Sequence, residues 1–468
     1  MKITRRILRA AALATAVAAV SSTAVAVCLA ACSSRASAQG APDTLAHIAF
    51  TNATVIDGSG AAPAAKQTIL VNRGLIEDIF ETGRRALPAD ARTVDLTGKF
   101  VIPGLIDSHV HVATDPAGQD AKAGATLRLA LLGGLTSVRD MAGDGIALGE
   151  LATRSRRADA ELPRLYYASL MAGPSFFTDA RTKASAHGGT PGEVPWMKAI
   201  TPTTDMKLAV RDAKATGATA IKIYADLPAD LVKKITTEAH RQGMKVWSHS
   251  TVFPATALDE VDAGVDVISH AIYLYWAAIP NPPMHYADRV PPRSAYDSVP
   301  ADGPAMQDLF AKMKAQNTVF DATLSILPRF EAARESSFGL VDPKRAAQWA
   351  YDVTRAAKLA GVTICAGTDG MMPFGSHDSL PGLHGEMELL VTRAGFTPLE
   401  AITAATLNSA LAIGAASSLG SIVPGKMADL VVLDGNPVSD IRNTRRIAFV
   451  VRGGVIHQRL APSQRPSH

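Results

Sequence analysis

With 468 residues, 47% of them hydrophobic and 19% charged, the chain has ample material for a large core, and its composition excludes global disorder. A formal net charge of +4 is small for this length and the basic residues are scattered, which excludes a basic nucleic-acid-binding face. The length suits two or three domains, or one α/β barrel with an accessory unit.

The first forty residues are a leader. Lys2, Arg5, Arg6 and Arg9 precede an uncharged, alanine- and valine-rich stretch from Ala10 to Ala31, the composition of an export signal. Leu29-Ala30-Ala31-Cys32 has the small residues before a cysteine that bacterial lipoprotein processing uses, and a serine-containing tether follows. The expectation is therefore that residues 1–40 are signal and tether, and that the mature protein is periplasmic and attached to a membrane through lipidated Cys32. Two alternatives stay open. Ala36-Ser37-Ala38 is an ordinary secretory cut that would release a soluble protein, and an uncleaved membrane helix fits the length of the apolar run. Of three cysteines only Cys365 remains in the folded body, so no disulfide framework supports it.

Residues 41–100 read as short strands, Ile48-Ala49-Phe50, Thr54-Val55-Ile56, Thr68 to Val71 and Leu75 to Ile79, closed by Gly, Asn or Asp. Such a module cannot bury both faces alone. Residues 416–468 carry further strands, Ala428 to Leu433 and Ile447 to Ile456, so the two chain ends are expected to pair into one small β-sandwich.

Between them, over 101–415, apolar β-branched runs alternate with amphipathic stretches, the pattern of a parallel α/β fold. The opening strand is the run from Phe100 to His111; Ser137–Asp140, Leu165–Ala168, Ala220–Tyr224, Lys245–His249, Val265–His270, Thr318–Ala322 and Thr363–Asp369 follow. Eight strand-helix units predict a (β/α)8 TIM-like barrel, whose chemistry sits at the C-terminal strand ends. Two connections are too long for plain turns: Gly173 to Pro202, with Phe176, Phe177, His187 and Trp196, and Tyr273 to Pro304, with Arg289 and Arg293. Loops of such length usually carry function, and these are expected to set substrate choice.

The polar residues at the strand ends carry the chemistry. On a strand, alternation puts His109 and His111 on one face, so two imidazoles converge as metal ligands do. Lys222 is the lone charge in Ala-Ile-Lys-Ile-Tyr, and if Ile221 and Ile223 face the helices, Lys222 and Tyr224 point into the barrel mouth. A lone buried ammonium loses its proton or acquires a partner. His249, His270 and Asp369 end later strands. Singly, each of these residues has a plainer reading: a satisfied strand-end histidine, a snorkelling lysine, a helix-capping aspartate. His187, His285, His377 and His384 fall on loops expected at the same face.

Here the chain resembles the amidohydrolase superfamily, and it looks most like the imidazolonepropionase-related and Xaa-Pro dipeptidase-like branch. The resemblance rests on Gly104-Leu105-Ile106-Asp107-Ser108-His109-Val110-His111, on Phe396 to Thr406, and on Gly420 to Val432, and covers nearly the whole mature chain. It implies a metal-dependent hydrolase with two divalent ions, zinc first, although manganese, iron or cobalt suit the same ligands. The implied ligands are His109, His111 and Asp369 on one ion, His249 and His270 on the other, and Lys222, carboxylated by carbon dioxide to a carbamate, between them. Metal-bound hydroxide would attack the C–N bond of a small substrate such as a dipeptide or N-acyl amino acid. Asp369 would move the proton, Tyr224 would hold the developing oxyanion, and His187, Arg289 and Arg293 are candidate substrate contacts, the arginines as carboxylate clamps. A lactone or cyclic amide is the alternative bond, and an inactive surface-attached binding protein the alternative of another class. An oligomer is compatible with either.

Overall fold

A computed structural model describes residues 47–114, 119–289, 295–332, 342–371 and 380–458. The leader with Cys32, and also Arg293 and His377, lie outside the described residues.

Five strands open the chain: β1 (Ile48–Val55), β2 (Ala64–Asn72), β3 (Leu75–Glu81), β4 (Arg92–Asp95) and β5 (Phe100–Pro103). The first is one strand where two were expected. Asn52 takes a left-handed φ of 61° at a bulge, so the asparagine kinks the strand without ending it. Next come the barrel strands β6 (Leu105–Val110), β7 (Leu135–Asp140), β8 (Arg164–Ala172), a short β9 (Met197–Ala199), β10 (Ala220–Ile223), β11 (Lys245–His249), β12 (Val267–Ser269), β13 (Val319–Asp321) and β14 (Ile364–Cys365). The chain closes with β15 (Leu430–Leu433), β16 (Ile447–Arg452) and β17 (Val455–His457).

The two chain ends form one sheet, in the order β17-β16-β15-β5-β1-β2-β3, with β4 added beside β1. Its seam is the antiparallel pairing of β5 with β15, Val101 opposite Val432. Phe50, Val101, Val432 and Phe449 form its apolar layer. The run from Phe100 to His111 is thus shared by two structures: Phe100–Pro103 belongs to the end sheet, and the barrel starts at Leu105.

Eight parallel strands, β6-β7-β8-β10-β11-β12-β13-β14, make the barrel. It closes where Ser108 N–H donates to the Ala366 carbonyl at 2.9 Å and Asp369 N–H to the His109 carbonyl at 2.8 Å. Alternation sorts each strand as expected: Ile221 and Ile223 join the large apolar layer beneath the helices, while Ala220 joins Trp247, Val267, Val319 and Cys365 in a plug inside the barrel. Trp247 is fully buried there, its indole N–H donating to the Ala412 carbonyl at 3.0 Å. Polar residues on the inner face above that plug must therefore point into the mouth. Among the described residues, no helix is long and apolar enough to cross a membrane.

Candidate active site

The barrel mouth opens into a cavity of about 630 Å³, lined among others by His109, His111, Lys222, Tyr224, His249, His270 and Asp369. Strand geometry delivers His109, Lys222 and His249 directly, since each lies in a strand. His270 and Asp369 lie just beyond β12 and β14 with left-handed φ of 79° and 55°, so the chain turns sharply as it leaves the strand. Such backbone is costly for a residue other than glycine and gathers at functional sites.

Potential ligand atoms of His109, His270 and Asp369 lie within 4.8 Å of one another. Asp369 is the hub: its Oδ1 is 3.3 Å from His109 Nε2 and 3.2 Å from His111 Nε2, and its Oδ2 is 4.0 Å from His270 Nδ1. The His270 ring lies 4.8 Å from that of His109 and 4.5 Å from that of His249. Lys222 is 1% exposed, and among the described residues its side-chain nitrogen has no hydrogen-bond partner.

Beneath this cluster lies a buried ion pair. Asp321, the last residue of β13, accepts on Oδ2 from His109 Nδ1 at 2.7 Å, Arg139 Nη2 at 2.8 Å and Ser269 Oγ at 3.0 Å. Arg139, on β7, also donates through Nε to the Ser108 carbonyl and packs over Trp247. Gly367 is required at this point, because a Cβ there would sit 2.4 Å from Asp321 Oδ1 and 2.7 Å from His109 Cβ. Asp107 supports the same strand end, accepting from the His109 N–H at 3.1 Å and from the Thr368 hydroxyl at 2.7 Å.

Electrostatics fixes the protonation pattern. Burial pushes the Asp321 carboxyl up, but His109 and Arg139 outweigh it and hold it below its ordinary value. An ionised carboxylate only accepts, so His109 carries its proton on Nδ1; burial lowers its pKa and keeps the ring neutral. The Nε2 lone pair therefore faces Asp369. Burial also raises Asp369, yet His109, His111 and His270 outweigh it and hold the carboxyl well below the usual range. A lone pair facing an anionic oxygen at 3.3 Å is an arrangement that a cation between them satisfies. Burial, helped by Arg139, pushes Lys222 down to about 7, and burial drives His270 down to about 3 and His249 well below its ordinary value. His111 differs, for burial there is outweighed by Asp369, which holds it above its ordinary value. Imidazoles, an ionised carboxylate and an unpartnered amine make up a donor set that fits divalent cations.

Other expected contacts lie elsewhere. His187 is half exposed and pairs with Asp144 at 2.5 Å, and it does not line the cavity. The Asp144 side chain caps the helix Gly145–Ser155, so His187 ties the first long loop to a helix start. Arg289 does not line the cavity either; it stacks on Tyr286 at 3.6 Å and donates to that residue's carbonyl. His384 is buried between the Gly133 carbonyl and Thr444 as a structural tie. In place of the expected arginines, Arg181 and Arg329 line the cavity. Arg181 is held by Asp179 at 2.8 Å and reaches the Tyr224 hydroxyl at 3.3 Å. Both come from connections whose conformation carries no periodic signal. Arg139, by contrast, lies in a predicted strand, where it stands beside Asp140 in Leu-Thr-Ser-Val-Arg-Asp, a weaker signal than the lone charge of Lys222.

The model of the amidohydrolase family matches residues 100–457. The chain belongs to the amidohydrolase family. Ochratoxinase of Aspergillus niger is 26% identical over 415 residues, covering 76% of this chain and 75% of that relative, and enamidase of Eubacterium barkeri is 25% identical over 389 residues, covering 81% and 84%. A solved Xaa-Pro dipeptidase with methionine in its active site shares the fold, with a TM-score of 0.69 at 20% identity over 88% of this chain and 100% of that one. This amidohydrolase is a hydrolase acting on C–N bonds, and the strand-end cavity is where His109, His111, Lys222, His249, His270 and Asp369 meet.

Proposed function

We propose that this amidohydrolase is an exported enzyme that cleaves the amide bond of a dipeptide or N-acyl amino acid at a two-cation centre. His109, His111 and Asp369 would hold one ion, His249 and His270 the other, and carboxylated Lys222 would bridge them. The observation that carries the reading is the Lys222 amine, fully buried beside the histidine and aspartate cluster and without a partner. Buried cations of this kind cost several kcal/mol unless something compensates, at about 1–3 kcal/mol for the lost hydrogen bonds alone. A neutral amine open to carbon dioxide is what carbamate formation needs. Two divalent ions, when bound, supply Lewis acidity for the scissile carbonyl and lower the pKa of water.

The chain's own residues do the rest. Asp369, kept ionised by its histidines, takes the proton of the attacking water and hands it to the leaving nitrogen. Burial raises the Tyr224 hydroxyl well above its ordinary value, so it stays protonated and donates to the oxygen that gains charge. Asp321 keeps His109 in the tautomer that turns Nε2 toward the cluster. The leader sequence supports export, and the small residues before Cys32 support attachment there, the cut after Ala36-Ser37-Ala38 being the alternative that would release a soluble enzyme.

The test is a hydrolysis screen of the zinc-loaded mature protein against dipeptides and N-acyl amino acids, with Lys222→Ala as control and metal content measured in both. Turnover of one series, lost in the variant, is expected. Silence across the library with two ions bound would move the reading to a lactone or cyclic amide; silence with no bound metal would sink the centre itself.

A further inference from the structure

We infer that Asp226 sets the ligand preference of this cavity by clasping both long loops, so that Phe176, Tyr224 and Tyr286 form an aromatic wall that selects substrates bearing a ring next to the scissile amide. The inference deepens the hydrolase reading above and rests on it for the word substrate.

Asp226 follows Tyr224 at the exit of β10, and its side chain is 5% exposed. Each carboxylate oxygen holds a different loop. Oδ2 accepts from Ser175 Oγ at 2.7 Å, in the loop after β8, and Oδ1 accepts from the Tyr286 backbone N–H at 2.6 Å, in the loop after β12. The backbone repeats the arrangement. Gly173 N–H donates to the Ala225 carbonyl at 2.8 Å, and a Cβ on Gly173 would lie 2.0 Å from the Asp226 carbonyl oxygen, so only glycine lets the first loop leave β8 so close to β10.

The residues next to these anchors are the wall. Phe176 adjoins Ser175, and Tyr286 carries the anchored N–H itself. Ring centroids are 4.7 Å apart for Phe176 and Tyr224, 5.5 Å for Tyr224 and Tyr286, and 6.1 Å for Phe176 and Tyr286, and all three side chains line the cavity. Those separations are the ones at which aromatic rings attract; both pairs with Tyr286 meet edge to face and Phe176 is tilted 31° from Tyr224, and a further ring extends the set at little entropic cost. Arg289 stacks on Tyr286 at 3.6 Å without lining the cavity, a contact that steadies the ring. A carboxylate that merely closed a turn would touch one loop. This one fixes two that are far apart in sequence, and what it fixes is the cavity wall.

The experiment reads binding and turnover separately, on the metal-loaded mature chain. Non-hydrolysable amines serve as probes by calorimetry: N-ethyl-leucine without a ring, N-benzyl-leucine with a ring on one side of the bond, and N-ethyl-phenylalanine with a ring on the other. The wild type should bind a ring-bearing probe at least about tenfold more tightly than N-ethyl-leucine, and Asp226→Ala should bring that ratio to within about threefold with bound metal per chain retained. Ser175→Ala, which cuts one arm of the clasp, should give an intermediate ratio and guards against misfolding of the first variant. On the matching amides KM should rise for ring-bearing substrates more than kcat falls. No ring preference in the wild type, or a preference kept in both variants, overturns the inference. Ring preference without turnover of any amide upholds the wall and its clasp and overturns the hydrolase reading instead.

Discussion

Arg139 and Lys222 are both buried basic side chains on inner faces of barrel strands, yet they live in opposite circumstances. Arg139, in the floor, gives Nη2 to Asp321, Nε to a carbonyl and its flat face to Trp247. Lys222, in the mouth, gives its side-chain nitrogen to no described residue. A charge that the fold itself satisfies belongs to the scaffold; a charge left unsatisfied and facing a cavity is held ready for a ligand. Arg139 Nη1 and Asp321 Oδ1 also lack a hydrogen-bond partner among the described residues, so what sets Lys222 apart is that it has no partner at all there and that it faces the cavity.

The largest effects should break the two basic side chains apart. Lys222→Met is expected to lower kcat/KM by at least about 10⁴-fold, the scale on which one member of a catalytic unit is missed, while the urea midpoint of the metal-free protein holds or rises. Arg139→Met should do the reverse in stability: removing one partner of a buried pair costs about 3–5 kcal/mol, read in the same urea titration. Equal losses of stability in both variants would abolish the distinction drawn between floor and mouth.

Asp321→Asn sharpens it further. The side chain keeps its shape, but an amide offers a donor as readily as an acceptor, so His109 is no longer held with its proton on Nδ1. Affinity for zinc, measured by competition with a chromophoric chelator, should fall about 10–100-fold, the usual cost of losing a residue that orients a metal-binding histidine. Arg139→Met, which leaves the His109 contact in place, should weaken zinc less; the opposite order would show that Asp321 serves the arginine and not the histidine.

Much of this was legible in the sequence because a barrel strand is a short apolar run, and a polar residue at its end stands out. All eight barrel strands, and the gathering of His109, His111, Lys222, His249, His270 and Asp369 at one cavity, follow from that contrast. Their partners do not. Alternation says which face a side chain takes and nothing about what meets it there, and the Asp321 contact to His109 spans 212 residues. For the same reason Arg139 and Asp321 sat in plain view in two predicted strands without suggesting a pair. Arginines of the connections are the hardest to place: Arg289 is expected in the cavity and instead stacks on Tyr286, while Arg181 and Arg329, on the short helices Ala180–Ser185 and Leu327–Ala332, line it, because the course of a connection follows from tertiary ties such as Asp226 and not from periodicity.

Glu260 tests the lesson from the other side. It lies on the helix Ala257–Asp262, is fully buried, and among the described residues neither carboxylate oxygen has a hydrogen-bond partner, yet it lines no part of the cavity. Unsatisfied and facing no ligand, it should simply be neutral: burial outweighs the easing by Ser248 and Lys222 and raises its pKa well above the ordinary value. A carboxyl whose folded pKa exceeds its unfolded one supports the fold fully below the unfolded value and loses that support as pH rises toward the folded value. Glu260→Gln has no proton to keep. Its stability relative to the wild type should therefore grow by about 1.4 kcal/mol per pH unit above the unfolded pKa, until the folded pKa is reached. Urea unfolding of both metal-free proteins at pH 4.5 and pH 7 measures the difference, in which every other carboxylate cancels. A difference independent of pH would mean that Glu260 is ionised in the fold, and the nearest candidate to neutralise it would be Lys222, making the lysine a partner and not a vacancy.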